Sequence, residues 1–146
     1  MNDASPSPAA NAAATPRAFK NKTLAALLAA LLGWLGLHRF YLQGTGAWQP
    51  WVYPAATIAG MLAALLWLPF LTLSVIVLYT GFIEALVFAL MADEKWDARW
   101  NADTGQTNDS RWGVVYIAAL TLAFGVGLLM TLLAISFQAL LGATPG

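Results

Sequence analysis

From Gly113 to Gly146 the chain carries no Asp, Glu, Lys, Arg or His, and between Leu24 and Met91 the only such residues are His38, Arg39 and Glu84. Apolar runs of that length need a non-aqueous surrounding, because a helix of about 20 apolar residues, at ~1.5 Å each, matches the ~30 Å hydrocarbon core of a bilayer. The rest of the composition agrees. Hydrophobic residues make up 60% and charged residues 10% of the 146, against roughly 25% charged in an ordinary soluble domain. Seven Lys and Arg balance seven Asp and Glu, so net charge gives no reason to expect a nucleic-acid partner. With no cysteine, disulfides, thiolate metal sites and cysteine nucleophiles are excluded.

Four apolar segments follow one another: Leu24 to Leu42, Trp51 to Leu68, Pro69 to Met91, and Gly113 to about Leu141. The first has a strictly apolar part of 14 residues, Leu24 to Leu37. As a short span it must use its amphipathic end, "HRFY", at the interface, with Arg39 snorkelling to the phosphates. Basic residues before it and no cleavage site after it read as an uncleaved signal anchor. The middle block, Trp51 to Met91, has 41 residues and as one helix would reach about 60 Å, twice a bilayer. A fold-back at Pro69, within "WLPF", resolves this, since proline cannot donate its backbone hydrogen bond and tryptophan favours the headgroup level; one long helix kinked at Pro69 is the rival. The fold class is therefore an all-α integral membrane protein of about four apolar helices: a short first span, a helical hairpin around Pro69 and an extra C-terminal span. The divisions are an Ala/Pro/Ser tail over 1–21, a helical membrane domain over 22–101, a polar loop over 102–112, the additional helix over 113–141 and a short tail over 142–146.

Small residues recur every four positions: Ala25, Ala29, Gly33 in the first helix, with Gly36 beyond; Ala56, Gly60, Ala64 in the second; Ala119, Ala123, Gly127 in the last. Such stripes let helix backbones approach closely where lipid offers no hydrophobic drive for association. They predict a compact bundle or an oligomer.

A carboxylate such as Glu84, in "LYTGFIEALVFAL", costs about 2 to 4 kcal/mol at mid-membrane unless it is neutralised or paired. It lies seven residues before Met91, about 10 Å inside its segment, within reach of an interfacial basic side chain. If Trp51 to Met91 is a hairpin, the ends of the first and third spans emerge together and Arg39 or His38 meets Glu84; this pairing favours four spans. Basic residues pull the other way. Arg17, Lys20 and Lys22 precede the first span, and Lys95, Arg99 and Arg111 follow the third. The positive-inside rule puts both groups in the cytoplasm, which needs an even number of crossings between them. Orientation stays open at this point.

A Lys-rich entry, a short Ala/Leu helix with Gly-x-x-Gly and then "HRFYLQG" resembles the signature of the TM-two domain family, small helical membrane proteins whose motif runs close to H-R-F-Y-L-G. His38, Arg39, Phe40 and Tyr41 carry the motif. Glu84 looks like the counterpart of an acidic residue in a later helix of that family, with Glu for the usual Asp, and "MADEKWDARWN" is similar to the continuation seen in bacterial members. The resemblance thus covers Lys20 to Asn101, departs from the family at Gln43, where Gly is usual, and leaves Gly113 onward as an addition. It implies a location in the membrane, here the bacterial inner (cytoplasmic) membrane, and a helical hairpin; it implies no activity.

Other signals are weaker. "DTG" at Asp103 to Gly105 matches a protease tripeptide but reads as a turn. Asp93 and Asp97 share a helix face and could offer oxygens to a cation, yet solvated loop charges explain them better. Trp96 and Trp100 read as an interfacial aromatic anchor on a short amphipathic helix. A lone histidine makes no multi-histidine metal or haem site. The sequence therefore leads to no catalytic residue, no cofactor and no metal. It leads instead to a non-enzymatic polytopic protein whose partners are the bilayer and itself or another membrane protein, with His38, Arg39, Phe40, Tyr41 and Glu84 as a polar lock. A transport or proton-path role through Glu84 and His38 is the alternative.

Overall fold

The computed structural model describes residues 18–67 and 70–142, without the side chains of 139 and 140. Most of the tail assigned to 1–21, the turn residue Pro69 and most of the tail at 142–146 lie outside them. All regular structure among the described residues is helical: α1 (Lys22–Leu32), a 3-10 turn (Gly33–Leu35), α2 (Leu37–Gln43), α3 (Gln49–Ala64), α4 (Leu71–Leu90), α5 (Asp93–Trp100) and α6 (Trp112–Gly142). Of these, Leu71–Leu90 and Trp112–Gln138 are long and apolar enough to cross a membrane. The chain is an all-α membrane protein.

The first apolar segment is not one rod. Asn21 caps α1, its side chain accepting from the Leu24 N–H at 3.0 Å. The helix tightens into the 3-10 turn and ends at Gly36, which takes φ 70 and donates its N–H to Gly33 O. Glycine alone enters that left-handed region without a Cβ penalty. The chain then doubles back along α2, so that Tyr41 returns to where α1 began: its hydroxyl accepts from the Asn21 N–H at 2.8 Å, and its carbonyl accepts from Lys20 Nζ at 2.6 Å. The "HRFY" motif therefore sits on the returning arm of a helical hairpin, not at the far end of a span. The reason is backbone geometry at Gly33 to Gly36, which a hydropathy pattern does not encode.

Helix α4 is the central element, and α1, α3 and α6 all run antiparallel to it. Lys22, at the start of α1, reaches Met91 O and Asp93 just beyond the end of α4, while Gly33 meets Gly81 in its middle. A methyl group added at Gly33 would lie 2.6 Å from Gly81 Cα. Ala25, Ala29, Ala85 and Ala89 complete this contact, all buried. Helix α3 lies against the other half of α4: Ser74 Oγ donates to Thr57 O at 2.9 Å, and Gly60 packs directly against Ser74. Pro54 lies inside α3 and has no N–H for the carbonyl of Pro50; that carbonyl and the Tyr53 side chain crowd against Gly36, where an added methyl would lie within 2.9 Å of both. Thus α1 and α3, both descending along α4, divide its length between them, with α2 as an excursion from their junction.

This arrangement revises the crossing pattern drawn from the apolar segments. His38, Arg39 and Glu84 do come together, but through the doubling back of α2 and not through a complete first span. Lys20 and Lys22, just before and at the start of α1, and the basic residues around α5 consequently lie at the same end of the bundle. Lys22 Nζ pairs with Asp93 at 2.7 Å, and the Lys20 and Lys22 N–H groups donate to Asn101 and Asn108 at 2.7 and 2.9 Å. The opposite end, around residues 65–67 and 70, carries no charged side chain.

Candidate functional site

The intramembrane polar cluster is assembled by three elements around the α4 carboxylate. Glu84 Oε2 accepts from His38 Nε2 and, at 2.9 Å, from the Tyr53 hydroxyl; Oε1 accepts from Arg39 Nη2. His38 is completely buried, with its ring edge-on to Tyr53 at 5.3 Å between centroids and tilted against Phe88 at 6.0 Å. The Arg39 guanidinium lies 5.9 Å from the Tyr53 ring centre. A carboxylate with this many donors is fixed in position, since charge-assisted hydrogen bonds are the strong ones. The arrangement ties α2 and α3 to α4 through one residue.

Local sequence explains how each side chain arrives. The left-handed Gly36 starts α2 so that His38 faces inward. Leu42, one turn on, joins Ala25, Ala26, Ala85 and Phe88 in the apolar core. Of the other two motif residues, Phe40 stacks edge-on against Trp51 at 5.0 Å, bracing α2 on α3, and Tyr41 ties α2 back to Lys20 and Asn21. Three buried atoms on this arm have no hydrogen-bond partner among the described residues: His38 Nδ1, Arg39 Nε and Gln43 Oε1. Tyr53 was not singled out from the sequence, although a tyrosine in an apolar helix needs a partner for its hydroxyl. The small stripe Gly81, Ala85, Ala89 on α4 was also missed, despite having the four-residue spacing noted elsewhere.

The small-residue stripes have different fates. Ala25, Ala29 and Gly33 are buried against α4, and Gly60 in the second stripe packs on Ser74, with Ala56 and Ala64 partly covered. Ala119, Ala123 and Gly127 face outward from α6, which uses Val114, Thr121 and Gly125 to meet the rest. Tyr79 Oη donates to Gly125 O at 3.2 Å, and nothing lies within 4 Å of a methyl placed on Gly127.

A second polar cluster closes the charged end of the bundle. Trp96 is completely buried, its indole N–H donating to Lys20 O at 2.9 Å and its ring packed on Phe88. It is a core residue and not an interfacial anchor, because the carbonyl of Lys20 satisfies its one polar atom. Asp93 accepts from Lys22 Nζ and from the Ser110 N–H, both at 2.7 Å; Asp97 accepts from the Asn108 N–H at 2.7 Å and from the Asn101 and Asn108 amides. Burial raises both carboxyls, but these donors outweigh it and hold each below the ordinary carboxylate range. Their oxygens are committed to protein donors and not arranged for a cation. Among the described residues no three His, Asp or Glu side chains converge on a metal position.

The short helical pair α1–α2, bearing H-R-F-Y, is thus fastened by Glu84 to the long apolar helix α4. The TM2 domain family model matches residues 18–53, in agreement with the resemblance found in "HRFYLQG". The match ends at Tyr53, so Glu84 and everything from α4 onward lie outside it. No curated protein and no solved structure matches the chain.

Proposed function

We propose that this chain is a non-enzymatic integral membrane protein that acts by helix packing, with itself or with another membrane protein, and turns over no substrate. One observation carries the reading: Glu84, the only carboxylate within helices α1, α2, α3, α4 and α6, has both oxygens engaged by His38, Arg39 and Tyr53. Its charge is committed to holding a fold together. The outward stripe Ala119, Ala123, Gly127 supports the packing role, since small residues on an open face are where a neighbouring helix comes close in lipid. The location is the bacterial inner membrane, with the end bearing Lys20, Lys22, Lys95, Arg99 and Arg111 in the cytoplasm. The support for this is the positive-inside rule, applied to an end that gathers the cations while the other end has none.

The test is to purify Arg39→Ala and Glu84→Ala and compare protein level and detergent-solubilised size with the parent. Both should fall or shift, and unchanged values for both would end the proposal. Orientation is read from single cysteines at Gln106 and Gln138, both exposed, in a chain with no native cysteine. An impermeant maleimide added outside intact cells should label Gln138→Cys and not Gln106→Cys.

A transport or proton-path role has one observation in its favour, the buried and unpartnered Nδ1 of His38. In proteoliposomes, proton flux abolished by Glu84→Gln would establish it; flux equal to protein-free vesicles would dismiss it.

A further inference from the structure

We propose that the outer face of α4 holds an anionic phospholipid, its phosphate at Lys95 and one acyl chain lying along Ile83, Leu86 and Leu90 into the cleft between α4 and α6. An opening of about 590 Å³ runs along this face from Lys95 to Ile83. At Ile83 and Leu86 it meets a narrower crevice of about 110 Å³, walled on the α6 side by Leu122, Gly125 and Leu129. The lining is almost wholly apolar, and Lys95 is the one charged group, at the mouth.

Charge complementarity selects the occupant. Every other described cation is already engaged: Lys22, Arg39 and Arg111 pair with carboxylates, Lys20 donates to Tyr41 O, and Arg99 lies over the Trp100 ring at 5.4 Å. Lys95 forms no ion pair, hydrogen bond or ring contact among the described residues and is exposed. An ammonium at the polar end of an apolar furrow matches a phosphate carried on an acyl chain, since lysine binds phosphate as a point charge and the furrow removes apolar surface from no competing protein contact. The preference for an anionic headgroup rests on the cytoplasmic orientation proposed above, because the leaflet facing the cytoplasm carries the negative surface potential.

The full-length protein in neutral detergent, supplied with phosphatidylglycerol or with phosphatidylcholine of the same chains, tests this by native mass spectrometry of retained lipid. Phosphatidylglycerol should be retained in preference. Lys95→Gln should lower its retention about fivefold, the effect of one lysine at an anionic surface, and Lys95→Glu further. Arg111→Gln, at the same end but outside the furrow, should leave it unchanged. Equal retention of both lipids, an unaltered Lys95→Glu variant, or an equal loss in Arg111→Gln would each overturn the proposal. Retention in detergent has no sidedness, so an opposite result in the cysteine labelling refutes the orientation while leaving this outcome to be judged by itself.

Discussion

Ala25–Ala29–Gly33, on α1 and the start of the 3-10 turn, and Ala119–Ala123–Gly127 on α6 have the same spacing and similar composition, yet one is sealed against α4 and the other faces outward. The difference lies in what accompanies each stripe. Opposite the first, α4 presents Gly81, Ala85 and Ala89, and both ends of the contact are fastened by polar bonds, Lys22 to Asp93 and the α2 arm to Glu84. Helix α6 meets α4 through larger side chains such as Phe82, and its inter-helix hydrogen bond is from Tyr79 to Gly125. Small residues permit close approach; a matching surface and polar fastenings decide where it happens.

The largest expected effect comes from cutting the fastening. Glu84→Ala strands Arg39 and His38 in a desolvated position and should cost about 3 to 5 kcal/mol, read by equilibrium unfolding in mixed micelles. The comparison itself is tested next by a matched pair. Gly33→Leu forces a side chain into Gly81 and should cost about 1 to 3 kcal/mol, whereas Gly127→Leu should change monomer stability by less than about 0.5 kcal/mol and alter only association. A large loss from Gly127→Leu at a dilution where the protein is monomeric would erase the distinction. Gly36→Ala places a Cβ in the left-handed region beside the Pro50 carbonyl and should cost about 1 to 2 kcal/mol, with the Phe40 to Trp51 contact loosened first. The smallest effect is acid. Asp93 and Asp97 are depressed in the folded state, so their contribution is intact above the unfolded carboxylate value near pH 4 and is lost as pH falls through the folded values. Thermal midpoints should be flat from pH 7 to about 5 and then decline, less steeply in Asp93→Asn.

Much of this was legible before any coordinates. A carboxylate in an apolar helix requires partners, and that single constraint joined Glu84 to His38 and Arg39 over 45 residues of sequence. Apolar runs located the helices, and the motif located the stretch that the TM2 domain model matches. The doubling back was hidden, because Gly33 to Gly36 reads as four more residues of an apolar span, and only φ at Gly36 and a 3-10 turn reveal otherwise. That error propagated: a first span taken as complete put Lys22 and Lys95 at opposite ends, although the basic-residue argument had required them together. Trp96 misled for a different reason. Its spacing from Trp100 fits an interfacial pair, and only the Lys20 carbonyl that receives its N–H distinguishes a core tryptophan from a surface one.

Gathering every described Lys, Arg, Asp and Glu toward one end has a consequence for biogenesis. On insertion from that side, the turn joining α3 to α4 is drawn across with Leu65, Leu66, Trp67 and Phe70 among its residues, and no ion crosses with it. A single charge placed at Leu66 would add the toll of about 2 to 4 kcal/mol that this half of the molecule is built to avoid.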